Sequence, residues 1–396
     1  MAGRIENDSR KSGSSTLIGR RRRRAAFALG LLACLALSAG AFSGAGSTGS
    51  EGSVSGTLVL AAQPSRGLGP NTLAGQRTIV GFGGTAIPRT LRKGVKNGRI
   101  GGVILFSDNL PSRSAARSLT ARLQKLKRPK ALRRYPLLVM TDQEGGLVKR
   151  LSGSPTVSAA EMGRRGPAFS RRQGRLTGRN LKNAGINVNF APVVDVARPG
   201  GNIASTDRGF GSTVASVVRS ALPFATAMEA AGTAATAKHF PGLGSVRLNT
   251  DDAVQRISLS KAALRKVDEA AYRPFVRAGI DMIMVGTAIY PAFGGKPAAF
   301  EKKIVTGELR RRLGYRGVTV TDALGTVAAR AFGGPRRLSP AAARAGTDLM
   351  LFTDLRGALD GQDSLSDRLR SGKLEPTTFR RSVNRILRLR ARLARR

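Results

Sequence analysis

Short apolar runs recur at regular intervals along the chain: Thr78–Gly83, Gly102–Phe106, Pro136–Thr141, Ile186–Val196, Ala234–Lys238, Ile280–Gly286, Gly317–Thr321 and Thr347–Phe352. They are continuous rather than alternating, as in strands covered on both faces. Between them lie longer polar stretches with helical spacing, at Ser170–Ala184, Thr213–Ala231, Ser260–Ala278 and Lys303–Leu313. Three end on a small or apolar residue followed by glycine (Ala184-Gly185, Ala278-Gly279, Leu313-Gly314), the usual helix stop. Strand–helix alternation predicts a parallel sheet. About eight such units over roughly 280 residues fit an α/β fold of the (β/α)8 TIM-barrel type, typically ~250 residues long. A doubly wound open sheet is the alternative. No Gly-x-Gly-x-x-Gly turn follows the first strand, which speaks against a dinucleotide fold.

The N-terminal region follows a different pattern. Residues 1–19 are polar, Arg20–Arg24 form a basic block, and an apolar run extends from Ala25 to Phe42 with small residues Ala39-Gly40-Ala41 near its end. This is the layout of a signal peptide, with a retained membrane anchor as the alternative because the run is only marginally long enough to span a bilayer. Leu31-Leu32-Ala33-Cys34 resembles a lipoprotein cleavage box, although apolar residues continue past it, and the paired arginines leave twin-arginine export open. The expected organisation is a signal or anchor at 1–42, a Gly/Ser-rich linker at 43–70 and a single catalytic domain at 71–396. The body is then secreted or attached to the cell envelope.

Composition narrows the function classes. There are 67 basic and 24 acidic residues, a formal net charge of +43. Residues 1–46 hold only eight basic and two acidic residues, so most of the excess lies on the body. Such charge attracts polyanions, and nucleic acid has to be weighed. With no Trp, four Tyr and no nucleic-acid motif, the reading is arginine on solvated helix faces near anionic envelope polymers, with no specific nucleic-acid partner. The lone Cys34 and lone His239 exclude a disulfide framework and make a zinc site improbable; no metal or cofactor is expected, and the protein should act as a monomer.

Polar residues at the strand ends carry the chemistry. Asp108 follows Phe106 by two positions, Asp142 follows Thr141, Asp195 follows Val194, Lys238-His239 close the fifth run, and Asp322 follows Thr321. A barrel gathers such residues into one mouth at its carboxyl face. Each has a bland reading: Asp322 as a helix N-cap, Arg150 and Arg208 as surface salt bridges, His239 as a structural histidine. The Asp142-Gln143-Glu144-Gly145-Gly146 turn suits gripping a polyhydroxylated ligand. No Gly-x-Ser-x-Gly marks a serine esterase. Several acids with few other nucleophiles point to glycoside hydrolysis.

The chain resembles glycoside hydrolase family 3, in its single-barrel β-N-acetylhexosaminidase branch. The matching pieces are Gly102–Phe106, Asp142-Gln143-Glu144-Gly145-Gly146, Gly185–Asp195, Arg208-Gly209-Phe210-Gly211, Lys238-His239-Phe240-Pro241-Gly242 and Thr321-Asp322-Ala323-Leu324, in the family's order. The resemblance implies a retaining hydrolase of terminal β-linked N-acetylglucosamine, acting on peptidoglycan-derived or related glycans. Asp322 matches the nucleophile; Asp142, Arg150, Arg208, Lys238 and His239 match the sugar-binding residues. The basic C-terminal helix at about 376–395, with no second domain after it, favours that branch over the two-domain β-glucosidases. One departure matters. The family's Asp-Ser-His triplet, whose His is the general acid/base, is replaced by Asn249-Thr250-Asp251, and Leu243 stands for another common His. Asp251 is the expected substitute and Asp252 the alternative; a catalytically weak or inactive sugar-binding protein is the competing outcome.

Overall fold

The computed structural model describes residues 63–396. The expected signal or anchor, Cys34 and most of the expected linker lie outside the described residues. The far end of that linker is part of the body. Leu68 is buried in the core, the Ser65 N–H donates to Asn384 Oδ1 at 2.9 Å, and Arg380 donates to the Ser65 carbonyl. An apolar anchor at Leu68 is what the Gly/Ser composition concealed.

Eight parallel strands form the central sheet: β1 (Thr78–Gly81), β2 (Gly102–Ile104), β3 (Leu138–Thr141), β4 (Val188–Asn189), β5 (Ala234–Phe240), β6 (Met282–Val285), β7 (Val318–Thr321) and β8 (Met350–Phe352). β1 pairs with both β2 and β8. The ring closes between β7 and β8, where Leu349 N–H donates to Thr319 O at 2.9 Å and Thr321 N–H to Leu349 O at 3.0 Å. The fold is the (β/α)8 barrel, and the open-sheet alternative falls.

Period-two alternation sorts each strand into two buried layers. Ile79, Ile104, Met140, Val188, Met284 and Val320 point into the barrel, while Val80, Val103 and Val139 face the helices. The C-terminal helix Pro376–Leu393 is more than the solvated basic helix its composition suggests. Its Ile386, Leu389 and Leu393 join the inner cluster. Its Arg390 is buried and donates to the carbonyls of Pro136 and Tyr135. Burial lowers the Arg390 pKa to about 9. Leu389→Ala is expected to cost about 2–5 kcal/mol, as other buried Leu truncations do. Urea unfolding with an unchanged m-value checks it.

Two helices differ from expectation at prolines. The Ser260–Ala278 stretch breaks into Lys261–Lys266, a 3₁₀ turn at Glu269–Tyr272 and Arg273–Arg277, because Pro274 lacks the N–H a continuous helix needs. The expected Ser170–Ala184 helix starts earlier, at Ala159, with a break at Gly166 (φ 86°) before Pro167.

Candidate active site

At the carboxyl ends of the strands lies a cavity of about 270 Å³. That is just below the ~300–1,000 Å³ usual for small-molecule sites, a size for one ring rather than a chain. Asp142, Glu144, Arg150, Arg208, Lys238, His239, Asp251 and Asp322 all line it, so the structure brings together every residue expected to bind sugar or act on it except the alternative, Asp252. Asp252 is exposed and does not line the cup.

The floor is a buried charge network. β3 runs into a short hairpin, Gln143–Gly145 paired with Val148–Lys149. Asp142 and Glu144 project to the same side of it, and Gln143 to the other. The Gln143 amide accepts from the N–H groups of Arg150 and Leu151 and donates to the Leu151 and Ser154 carbonyls, which fixes the hairpin. Lys238 Nζ lies 2.6 Å from Asp142 and 2.7 Å from Glu144. Arg208 grips Glu144 through two 2.8 Å bonds, the fork geometry guanidinium groups favour. Burial alone would raise the Glu144 pKa, but Lys238 and Arg208 outweigh it and hold it at about 2. The same carboxylates raise Lys238 against the lowering effect of its burial. Arg150 lines the cup, and its buried Nε has no hydrogen-bond partner among the described residues.

Glu144 is therefore structural as well as site-lining. Glu144→Ala leaves two buried cations short of a partner and is expected to cost about 3–5 kcal/mol. Since its folded pKa of about 2 lies below its ordinary 4.5, its contribution is complete above pH 4.5 and is lost as pH falls toward 2. Denaturant unfolding across that window should show an acid limb that Glu144→Gln flattens.

On β5, pairing with β6 slips between Ala237 and Phe240. This bulge lets the neighbouring Lys238 and His239 both reach the mouth instead of alternating across the sheet. Asp195, fully buried behind them, accepts from His239 Nδ1 at 2.8 Å and from the His239 and Leu243 N–H groups at 3.1 and 2.8 Å. A carboxylate only accepts, so Nδ1 carries the proton and Nε2 is left for a ligand. The chain then turns through Gly242, where φ is 142° and a Cβ would lie 2.7 Å from the Asp268 Cβ. Only glycine fits there.

The loop that follows is tied down on both sides of the cup. Arg198 N–H donates to Gly244 O, Asn202 N–H to Val246 O at 2.7 Å, and Val327 N–H to Asp251 O at 3.0 Å. That last bond joins the Asp251 loop to the segment carrying Asp322. Asp251 is exposed at the loop's edge, yet its carboxyl faces the cup, where desolvation and the Asp322 carboxylate both raise its pKa. Asp322 is not a helix cap. Among the described residues its Oδ1 accepts only from the adjacent Ala323 N–H at 2.8 Å, and Thr326 caps the next helix.

Two strand-end acids do not reach the cup. Asp108 is exposed and accepts from the Gly84 N–H, bracing an outer loop. Asp195 supports His239 from behind. Among the described residues, no group of three His, Cys, Asp or Glu side chains is placed to hold a metal ion.

A parallel barrel whose carboxyl mouth sets two carboxylates beside a cup of fixed donors and acceptors is an enzyme for polyhydroxylated substrates. Residues 73–389 match the glycosyl hydrolase family 3 N-terminal domain, and the chain belongs to that family. It is 36% identical over 347 residues to an uncharacterized secreted glycosyl hydrolase of Arthroderma benhamiae, covering 85% of this chain and 98% of that one. A β-hexosaminidase of Alkalilimnicola ehrlichii is 35% identical over 283 residues, 69% of this chain and 79% of that protein. Among solved structures, a family 3 β-N-acetylglucosaminidase from Paenibacillus sp. FPU-7 superposes with a TM-score of 0.78 at 32% identity. The match covers 83% of this chain and 63% of that one.

Proposed function

We propose that this protein is a retaining β-N-acetylhexosaminidase, with Asp322 as nucleophile and Asp251 as general acid/base. The observation that carries the reading is one cup lined by both carboxylates, with the Val327–Asp251 backbone bond linking the segments that hold them. Asp322 attacks the anomeric carbon while Asp251 protonates the leaving oxygen, forming a glycosyl ester. Water deprotonated by Asp251 then releases the sugar with retained configuration. Lys238, Asp142 and Arg208 hold ring hydroxyls with Arg150, and His239 accepts or donates through Nε2. These fixed groups favour the distorted, oxocarbenium-like ring over the ground state.

The N-acetylglucosamine preference is supported by the β-hexosaminidase and β-N-acetylglucosaminidase relatives. Export is supported by the basic and apolar N-terminal pattern and by a relative described as secreted. The test is turnover of an aryl β-N-acetylglucosaminide against the matching β-glucoside, with the first-formed anomer followed by NMR. The expected result is preference for the N-acetylglucosaminide and β-product first. Binding without turnover would replace this reading with that of a sugar-binding protein, the outcome the missing loop imidazole favours.

A further inference from the structure

Four large apolar side chains are exposed among the described residues: Leu147 at 75%, Leu248 at 58%, Val327 at 56% and Val254 at 39%. None lies on the long outer helices. All sit on segments that follow the carboxyl ends of barrel strands, Val327 at the first position of the short helix Val327–Arg330. Leu147 precedes Val148, Leu248 precedes Asn249 and Val327 follows Thr326, and each of those neighbours lines the cup. Scattered exposed leucines need no explanation, but grouping at one mouth marks a contact surface.

The arrangement continues inward. Leu243 and Val246 are buried and line the cup on the same loop that ends at Leu248. Leu243 thus gives this wall an apolar face. Asp251 lies three residues beyond Leu248 and is bonded through its carbonyl to Val327 N–H. The group that must reach the leaving oxygen is thus flanked by two exposed apolar side chains. The sugar end of the cup, by contrast, is the charge network of Asp142, Glu144, Lys238 and Arg208.

We propose that Leu248 and Val327, with Leu147 on the hairpin, form an apolar leaving-group subsite that selects β-N-acetylglucosaminides carrying an alkyl or aryl aglycone. The inference rests on the glycosidase reading above and adds the class of leaving group. A sugar leaving group would lay polar hydroxyls on these side chains; an alkyl or aryl group removes apolar surface from water on both partners.

Methyl and hexyl β-N-acetylglucosaminides share an alkoxide leaving group, so their comparison isolates contact with the rim. The hexyl compound, used below its micellar concentration, should show kcat/KM about tenfold higher, most of it in KM, because the added methylenes are only partly buried. Leu248→Ser/Val327→Ser should bring the ratio to within about threefold while methyl-glycoside turnover stays within about threefold of the parent. Equal kcat/KM for the two glycosides, or a hexyl preference that survives the double substitution, overturns the subsite. So does a methyl-glycoside loss matching the hexyl loss, which would show a structural effect on the loop. If neither glycoside is turned over, the glycosidase reading has failed. Calorimetric binding of both compounds to the parent and the double variant then still decides the rim by the same ratio. Sedimentation with phosphatidylglycerol vesicles that depends on Leu248 and Val327, without hexyl preference, would overturn it in favour of membrane contact.

Discussion

Asp322→Asn is expected to reduce turnover of an aryl β-N-acetylglucosaminide by about a thousandfold or more, the scale seen when a covalent nucleophile is removed. The loss should fall on kcat and kcat/KM together, because the carboxylate acts on the transition state. Stability should hardly move. The Asp322 side chain accepts one hydrogen bond, from its own neighbour, and belongs to no buried ion pair among the described residues. Its surroundings match none of the mechanisms behind large destabilisation. In Asp322→Ala, which opens the space the carboxylate fills, added azide should restore part of the turnover and yield a glycosyl azide of inverted configuration, since the small anion attacks from that face. Near-full activity in Asp322→Asn, with or without azide, would remove this residue from the mechanism.

Asp251→Asn should have the second-largest effect, and its signature is in the pH profile. Desolvation and the neighbouring Asp322 carboxylate hold the Asp251 pKa above its ordinary value of 3.8. The donating form is the protonated one, so kcat/KM should persist to higher pH than an ordinary aspartic acid would allow, then fall as pH rises through the raised pKa. Asp251→Asn removes that alkaline limb. On an alkyl glycoside, whose poor leaving group needs protonation, the loss should be about 10²–10⁴-fold. On an aryl glycoside with a good leaving group the first step needs little acid help, so a burst of aglycone should remain while turnover slows at deglycosylation. An alkaline limb that survives in Asp251→Asn and disappears in Asp252→Asn would move the role one residue along the loop. The same profile separates a slow enzyme from a sugar-binding protein, because binding alone produces no burst.

Much of this site was legible because each strand of the barrel ends at the same face. The apolar runs locate the strands, and whatever polar residue closes a run is carried to the mouth; Asp142, Lys238, His239 and Asp322 follow from that rule. It overreached at Asp108, where a short 3₁₀ turn at Ser107–Asn109 takes the side chain away from the cup. Glu144 carried a usable signal, two residues after Asp142 and so on the same side of an extended segment. Its role needed Arg208, 64 residues later, to be seen. Asp195 was recognisable as a strand-end acid, but only its contacts with His239 and Leu243 show that it serves from behind. The bulge in β5 has no mark in Ala234–Phe240 beyond adjacent polar residues. Equally hidden was the C-terminal helix, whose many arginines mask the Ile386, Leu389 and Leu393 stripe that closes the barrel floor.

The central claim is that Asp322 becomes covalently bonded to the sugar. A fluorinated N-acetylglucosaminide that forms the glycosyl ester faster than it hydrolyses would trap that state, and peptide mass spectrometry would locate it. The account predicts one added sugar on the peptide spanning Thr321-Asp322-Ala323, released over time with return of activity. Attachment to Asp142 or Asp251 instead, or continued product formation with no protein ever labelled, would contradict it.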